Sequence, residues 1–284
     1  MKKDYARSKA ILHKNHTIMN TFFRILVLGV FGIAIQSCST LAAGGIISQG
    51  QPTKEVTQPL TSTTANSVVN VDHSQFDSLL KKHVDANGLV DYKGFENDRA
   101  ELKGYLNQLA ELDPNNDWSV QELLAYYINL YNAVTIELIL ENPDVKSIKD
   151  IDGPWTKGRA RVNGRELSLG GIENGVLRKM NEPRIHFAIN CASISCPPLL
   201  REAYTAGKIN EQLDKATTQF INSDMNNIAK DKAELSSIFK FYTKDFYRGP
   251  NESLLPYVNK YSTVKINPGT PVTFKDYDWG LNKQ

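Results

Sequence analysis

The chain has 284 residues, 33 Lys plus Arg against 31 Asp plus Glu, and a net charge of +2. That balance leaves no global basic field for nucleic acid, and 41% hydrophobic with 23% charged residues is a globular composition rather than a disordered or multi-span one. Three cysteines are too few for a disulfide scaffold and no Cys/His set has metal-ligand spacing, so neither a zinc module nor a cofactor is expected.

Residues 1–37 read as a signal peptide. Lys2, Lys3, Arg7, Lys9, Lys14 and Arg24 make a basic start, and Met19 opens a more compact version of the same leader. The apolar run Ile25 to Ile35 falls short of the roughly 20 residues that span a bilayer and suits the apolar core of a signal. Ile35-Gln36-Ser37-Cys38 resembles the bacterial lipoprotein cleavage box. The resemblance implies a lipid on Cys38 and a protein anchored to the membrane of the cell envelope, facing periplasm or exterior. An ordinary secretory cut near Ala42 or Ala43 is the alternative. Residues 38–70, rich in Ser, Thr, Gln and Gly, read as a flexible tether, and 71–284 as a single α+β domain.

Within that domain, Ser74 is placed to cap a helix with Phe76, Leu79, Leu80 and Val84 on one face, and Leu102 to Leu112 mark a second helix. Ser119-Val-Gln-Glu122 reads as a capping box opening an apolar helix over 120–141. A helix apolar nearly all round is buried, yet this one carries Asn129 and Asn132. Buried amides without partners cost roughly 1–3 kcal/mol each, so both must meet other polar groups.

Val162-Asn163-Gly164-Arg165 predicts a two-residue hairpin turn, and Ser168 is placed to cap a helix with Ile172, Val176, Leu177 and Met180 inward. Over 184–190, Ile185, Phe187 and Ile189 alternate with His186, Ala188 and Asn190, which predicts a strand with His186 and Asn190 on one face. A small-residue loop with Cys191, Cys196, Pro197 and Pro198 follows. A helix from Ile209 to Phe220, an aromatic stretch over 236–246 and a short helix over 254–261 complete the body. The expected architecture is α+β: a helical layer packed on a small, mostly antiparallel sheet containing the 160s hairpin and the 184–190 strand. A papain- or transglutaminase-like arrangement is one form it could take.

Four segments together are similar to the bacterial and plant family called domain of unknown function 547: Tyr127 to Ile136, Ile172 to Arg178, His186 to Leu199 and Tyr277 to Asn282. The resemblance runs from about residue 75 to the C-terminus, and the third segment is its most specific part. The family pattern carries His where this chain has Asn174. The resemblance implies a shared fold but no settled reaction.

Two readings of the candidate residues stay open. In one, Cys191 and Cys196 form a disulfide and Asn129, Asn132, Asn174 and Asn190 gather with His186 in a polar cluster. The protein is then a ligand-binding or assembly module for a peptide or small molecule. In the other, Cys191 or Cys196 is a nucleophile activated by His186, and the protein is a cysteine-dependent hydrolase or acyl transferase acting on an envelope peptide or amide. Strand alternation counts against the second, because it sets Cys191 opposite His186. Arg178, Lys179 and Arg184, with Glu166, Glu173 and Glu182, read as solvated charges, and Phe239 to Tyr247 as core. Asp276, Asp278 and Trp279 read as packing and capping residues, with the lining of a sugar-like cleft as the alternative.

Overall fold

The computed structural model describes residues 48–62, 68–247 and 253–284. The stretch read as a signal peptide, with Met19 and Cys38, lies outside the described residues. Of the stretch read as a tether, residues 48–62 lie against the domain. Tyr127 donates to the Gln51 side chain at 2.7 Å, Lys54 to the Trp118 carbonyl, and the Val56 amide to Met180. Gln51 and Leu60 are buried, which ties this part of the stretch down.

The helices come first: α1 Ser74–His83, α2 Tyr92–Asn97, α3 Arg99–Ala110 and α4 Val120–Leu140. The cap of α1 falls on His73 rather than Ser74, whose amide donates to Asp72. Ser119 does cap α4, accepting from the Glu122 amide at 3.1 Å. The box is not reciprocal, because the Glu122 carboxylate accepts from the Val71 amide at 2.8 Å instead. Every residue of α4 from Glu122 to Leu140 is buried. The helix is long and apolar enough to cross a membrane, but its apolar surface is enclosed by this chain's own core.

β1 Gly158–Val162 and β2 Arg165–Ser168 form the expected hairpin. Asn163 and Gly164 have φ of +46° and +70°, the positive values that a type I′ turn demands. Next come a π-helical turn, Gly171–Val176, and a 3₁₀ turn, Leu177–Met180. Ser168 accepts from the Gly171 amide at 2.9 Å, and the four predicted apolar residues are buried.

The predicted strand over 184–190 is absent: Pro183–Phe187 is a 3₁₀ turn. Pro183 fixes the first φ, and Glu182 caps the turn by accepting from the Arg184 amide at 3.1 Å. Arg184, Ile185, His186 and Phe187 are all buried, so the alternation reflects no pleat. The sheet is correspondingly smaller than expected. Among the described residues the hairpin pairs only with itself, and a separate three-stranded sheet has the order β3 (Asn227–Ala229), β4 (Lys232–Leu235), β5 (Val272–Phe274). Its first pair is antiparallel and its second parallel. The remaining helices are α5 Ile209–Ile221, α6 Ser237–Phe241, α7 Thr243–Phe246 and α8 Leu254–Tyr261. The fold is mixed α+β, with α4 at the centre of one core.

Candidate functional site

The two asparagines of α4 are backbone clamps. Asn129 donates to the Tyr204 carbonyl at 2.8 Å and accepts from the Tyr204 amide at 2.9 Å. Asn132 donates to the Ala188 carbonyl at 3.0 Å and accepts from the Asn190 amide at 2.8 Å. Each carboxamide gives an irregular segment the donor and acceptor that a neighbouring strand would supply, so the chain from Ala188 to Tyr204 hangs on α4 without a sheet. The four predicted cluster residues therefore divide. Asn132 and Asn190 meet, Asn129 is committed to Tyr204, and Asn174 sits elsewhere.

Asn190 sets the loop that follows. Its side chain donates to the Pro197 carbonyl and accepts from the Ala192 amide, each at 2.8 Å. Ala192 has φ +58°, a conformation that costs a non-glycine residue energy and persists because the surroundings hold it. The C-terminal tail straps this loop: the Ile194 amide donates to Gly280, the Asn282 amide to Ala192, and the Asn282 side chain to Asn190.

The loop brings its two thiols together, but the disulfide of the first reading is not formed. Cys191 and Cys196 are free, with sulfurs 3.0 Å apart, and the Cys191 amide donates to Cys196 Sγ at 3.0 Å. Cys191 is half-buried and has Ser193 Oγ at 3.1 Å and the Tyr277 hydroxyl at 3.3 Å. Hydrogen bonding with Cys196 holds the Cys191 thiol below its ordinary range against the opposing effect of burial, and Ser193 and Tyr277 add to the lowering. Burial pushes Cys196 the other way, and the Cys191 charge adds to it. Of the two, Cys191 is the one set up to ionise.

His186 is 2% exposed, and its Nε2 lies 2.8 Å from Asp245 Oδ2. Arg178 forks onto the same carboxylate, Nε to Oδ2 at 2.6 Å and the second guanidinium nitrogen to Oδ1 at 2.9 Å, while its third nitrogen donates to Asn174 Oδ1 at 2.8 Å. Burial raises Asp245, but the bonds from His186 and Arg178 outweigh it and hold this carboxyl well below the usual range. The imidazole stacks on Tyr242 with ring centres 3.9 Å apart. Its other nitrogen, Nδ1, is buried without a hydrogen-bond partner.

His186, Cys191, Cys196 and Asn174 all line one cavity of about 250 Å³. Its walls are aromatic, with Trp155, Phe241, Tyr242, Tyr277 and Trp279 contributing. The π-helical turn presents both Glu173 and Asn174 to it, although they are neighbours in sequence. At the cavity's edge the Gly170 amide donates to the Trp155 carbonyl at 2.9 Å, an approach only a glycine allows, since a Cβ there would meet that carbonyl at 2.8 Å. Among the described residues no group of three or more His, Cys, Asp or Glu is placed to hold a metal ion.

Residues 115–221 match the family model described as Protein of unknown function, DUF547. Over that span the chain is similar to this family, and the match takes in α4, the π-helical turn, His186 and both thiols. Asp245, Tyr277 and Trp279 lie beyond it. No curated protein and no solved structure matches the chain. The papain- or transglutaminase-like form thus has no structural counterpart behind it.

Several charges expected on a solvated face are instead committed to partners, and some are buried. Arg178 is the fork just described, and Arg184 is buried against Glu182, with Asp214 also in its reach at 2.8 Å. Glu173 is buried. Within the aromatic stretch, Phe239 and Phe246 are core as expected, but Tyr242 lines the cavity and Phe241 is exposed. Asp245 carried no local signal: it lies among aromatic residues with no spacing that ties it to His186.

Proposed function

We propose that the chain is a cysteine-dependent acyl-transfer enzyme, a hydrolase or transferase of amides or esters, with Cys191 as nucleophile and His186 as general base. The observation that carries this reading is the polarity of the imidazole. Nε2 is held by Asp245, Nδ1 is left without a partner, and His186 and Cys191 line the same cavity. A Cys-His pair oriented by a third polar side chain is the arrangement of papain-like hydrolases.

In the reaction, the Cys191 proton passes to His186 and the thiolate attacks the substrate carbonyl. A carbon–sulfur bond forms as the bond to the amine or alcohol breaks, and the leaving group takes the proton from His186. Water or an acceptor amine then attacks the thioester, His186 receives its proton, and the thiol is released. The lipoprotein-like leader supports placing this chemistry in the bacterial envelope, on a membrane-anchored protein, with envelope peptides or amides as substrates.

A second reading is favoured by the sulfur pair. No hydrogen bond joins His186 to Cys191, and the two sulfurs are in contact at 3.0 Å, about 1 Å longer than a disulfide bond. Oxidised in the envelope, the loop would be a fixed wall of a ligand-binding or assembly module. Treatment with p-nitrophenyl acetate separates the two. The enzyme reading expects a burst of nitrophenol and an acetyl group on Cys191, lost in Cys191→Ala and slowed in His186→Ala. No burst from reduced protein, or a burst indifferent to Cys191, would overturn it.

A further inference from the structure

Glu173 is 5% exposed, and the two groups that hold it are neutral. Tyr242 donates to Oε1 at 2.5 Å and Tyr131 to Oε2 at 3.3 Å. No Lys, Arg or His among the described residues forms an ion pair with it. Arg178 feels the Glu173 charge but makes its hydrogen bonds to Asp245 and Asn174. A carboxylate taken out of water without a counter-ion is costly, and such groups are ordinarily paired. Two tyrosine bonds leave lone pairs on both oxygens unused.

The rest of the wall suits the missing charge. Trp155, Trp279, Tyr277 and Phe241 form a continuous aromatic surface, with successive ring centres 5.8, 4.5 and 5.5 Å apart. Aromatic faces attract cations, and Trp279 already does so here: Lys149 Nζ lies 5.0 Å from its ring centre. No Lys or Arg is among the described residues that line the cavity. A carboxylate, an acidic thiol and electron-rich rings therefore line one cavity.

We infer that the cavity selects substrates bearing an alkylammonium group, such as a lysine-like side chain or a polyamine, with Glu173 as the counter-ion and the Trp155–Trp279 wall as the cation's face. The inference rests on Cys191 being the reactive thiol, and it names the substrate class of that site.

The test uses three methanethiosulfonates of different charge on the reduced, intact protein: trimethylammonioethyl, sulfonatoethyl and methyl. Each thiolate attack expels a sulfinate and leaves a mixed disulfide, read by mass on the Cys191 peptide, with rates normalised to free cysteine. The cationic reagent should outpace the anionic one by at least about tenfold, the scale of one unscreened charge contact. Glu173→Gln, which removes the charge and keeps one acceptor oxygen for the tyrosines, should bring the ratio, with each rate taken relative to the methyl reagent on the same variant, close to that of the free thiol. Trp279→Leu should lower the same preference and serves if Glu173→Gln does not fold. A wild-type ratio near one, or a ratio unmoved by either variant, overturns the inference and leaves the nucleophile standing. Failure of the neutral methyl reagent to label Cys191 removes the nucleophile, and the inference with it.

Discussion

His186 and Asp245 lie 59 residues apart in the chain and 2.8 Å apart in space, Nε2 to Oδ2. That contact decides which nitrogen of the ring faces a partner and which is left for chemistry. It also binds α7 to the 3₁₀ turn that carries His186.

Removing the carboxylate should cost both stability and reactivity. In Asp245→Ala, the Arg178 fork and the His186 ring lose their shared acceptor in a partly buried place, and unfolding in urea should show a loss of about 2 kcal/mol. Acylation of Cys191 should slow at least tenfold or so, because the ring is no longer held. Asp245→Asn, which keeps one acceptor, should lose less of each.

The asparagine clamps predict a contrast. Asn132→Ala strands the Ala188 carbonyl and the Asn190 amide, and about 3 kcal/mol should be lost. Asn129→Ala should lose a similar amount through Tyr204. Only the first should change Cys191 labelling, since Asn190 shapes the thiol loop and Tyr204 does not line the cavity. Denaturation and labelling on the same two variants check this.

Stability should fall with acid in a window set by His73. Burial pushes its pKa down to about 4, against Asp72. Between pH 6.5 and 4 the unfolded chain binds a proton at this residue that the folded chain refuses, so stability rises with pH there and is lost on acidification, by up to about 3 kcal/mol. His73→Gln should flatten that part of a stability curve. The depressed Asp245 contributes separately, with loss only as pH falls below its ordinary carboxylate range.

The thiols should titrate apart. Cys191 should alkylate with iodoacetamide at a midpoint below that of an ordinary thiol, and Cys196 well above it. Hydrogen bonding with Cys196 is the largest influence lowering Cys191, so Cys196→Ala should raise the Cys191 midpoint, and Cys196→Ser, which keeps a donor, should raise it less.

Much of the framework is legible in the sequence, and the reasons are local. α4, the Asn163-Gly164 turn and the 254–261 helix depend on apolar period, positive φ and caps, which neighbouring residues specify. The 184–190 segment reads as a strand because a buried 3₁₀ turn with Ile185 and Phe187 in it imitates period 2. There Pro183 was the stronger signal. His186, Asn174 and the two thiols were identifiable as candidates. Their arrangement was not, because it depends on Asp245, Glu173 and Tyr277, which reach the cavity only through tertiary packing. A charge such as Glu173 or Arg178 looks solvated until its partners are known.

The central claim is that Cys191 is a free, acidic thiol working with His186. Peptide mapping of protein expressed in the envelope, alkylated at neutral pH with and without prior reduction, tests it most directly. Cys191 should label without reduction, faster than Cys196, and His186→Ala should slow its acylation. Labelling of Cys191 and Cys196 only after reduction would contradict it and identify the loop as a bridged, structural wall.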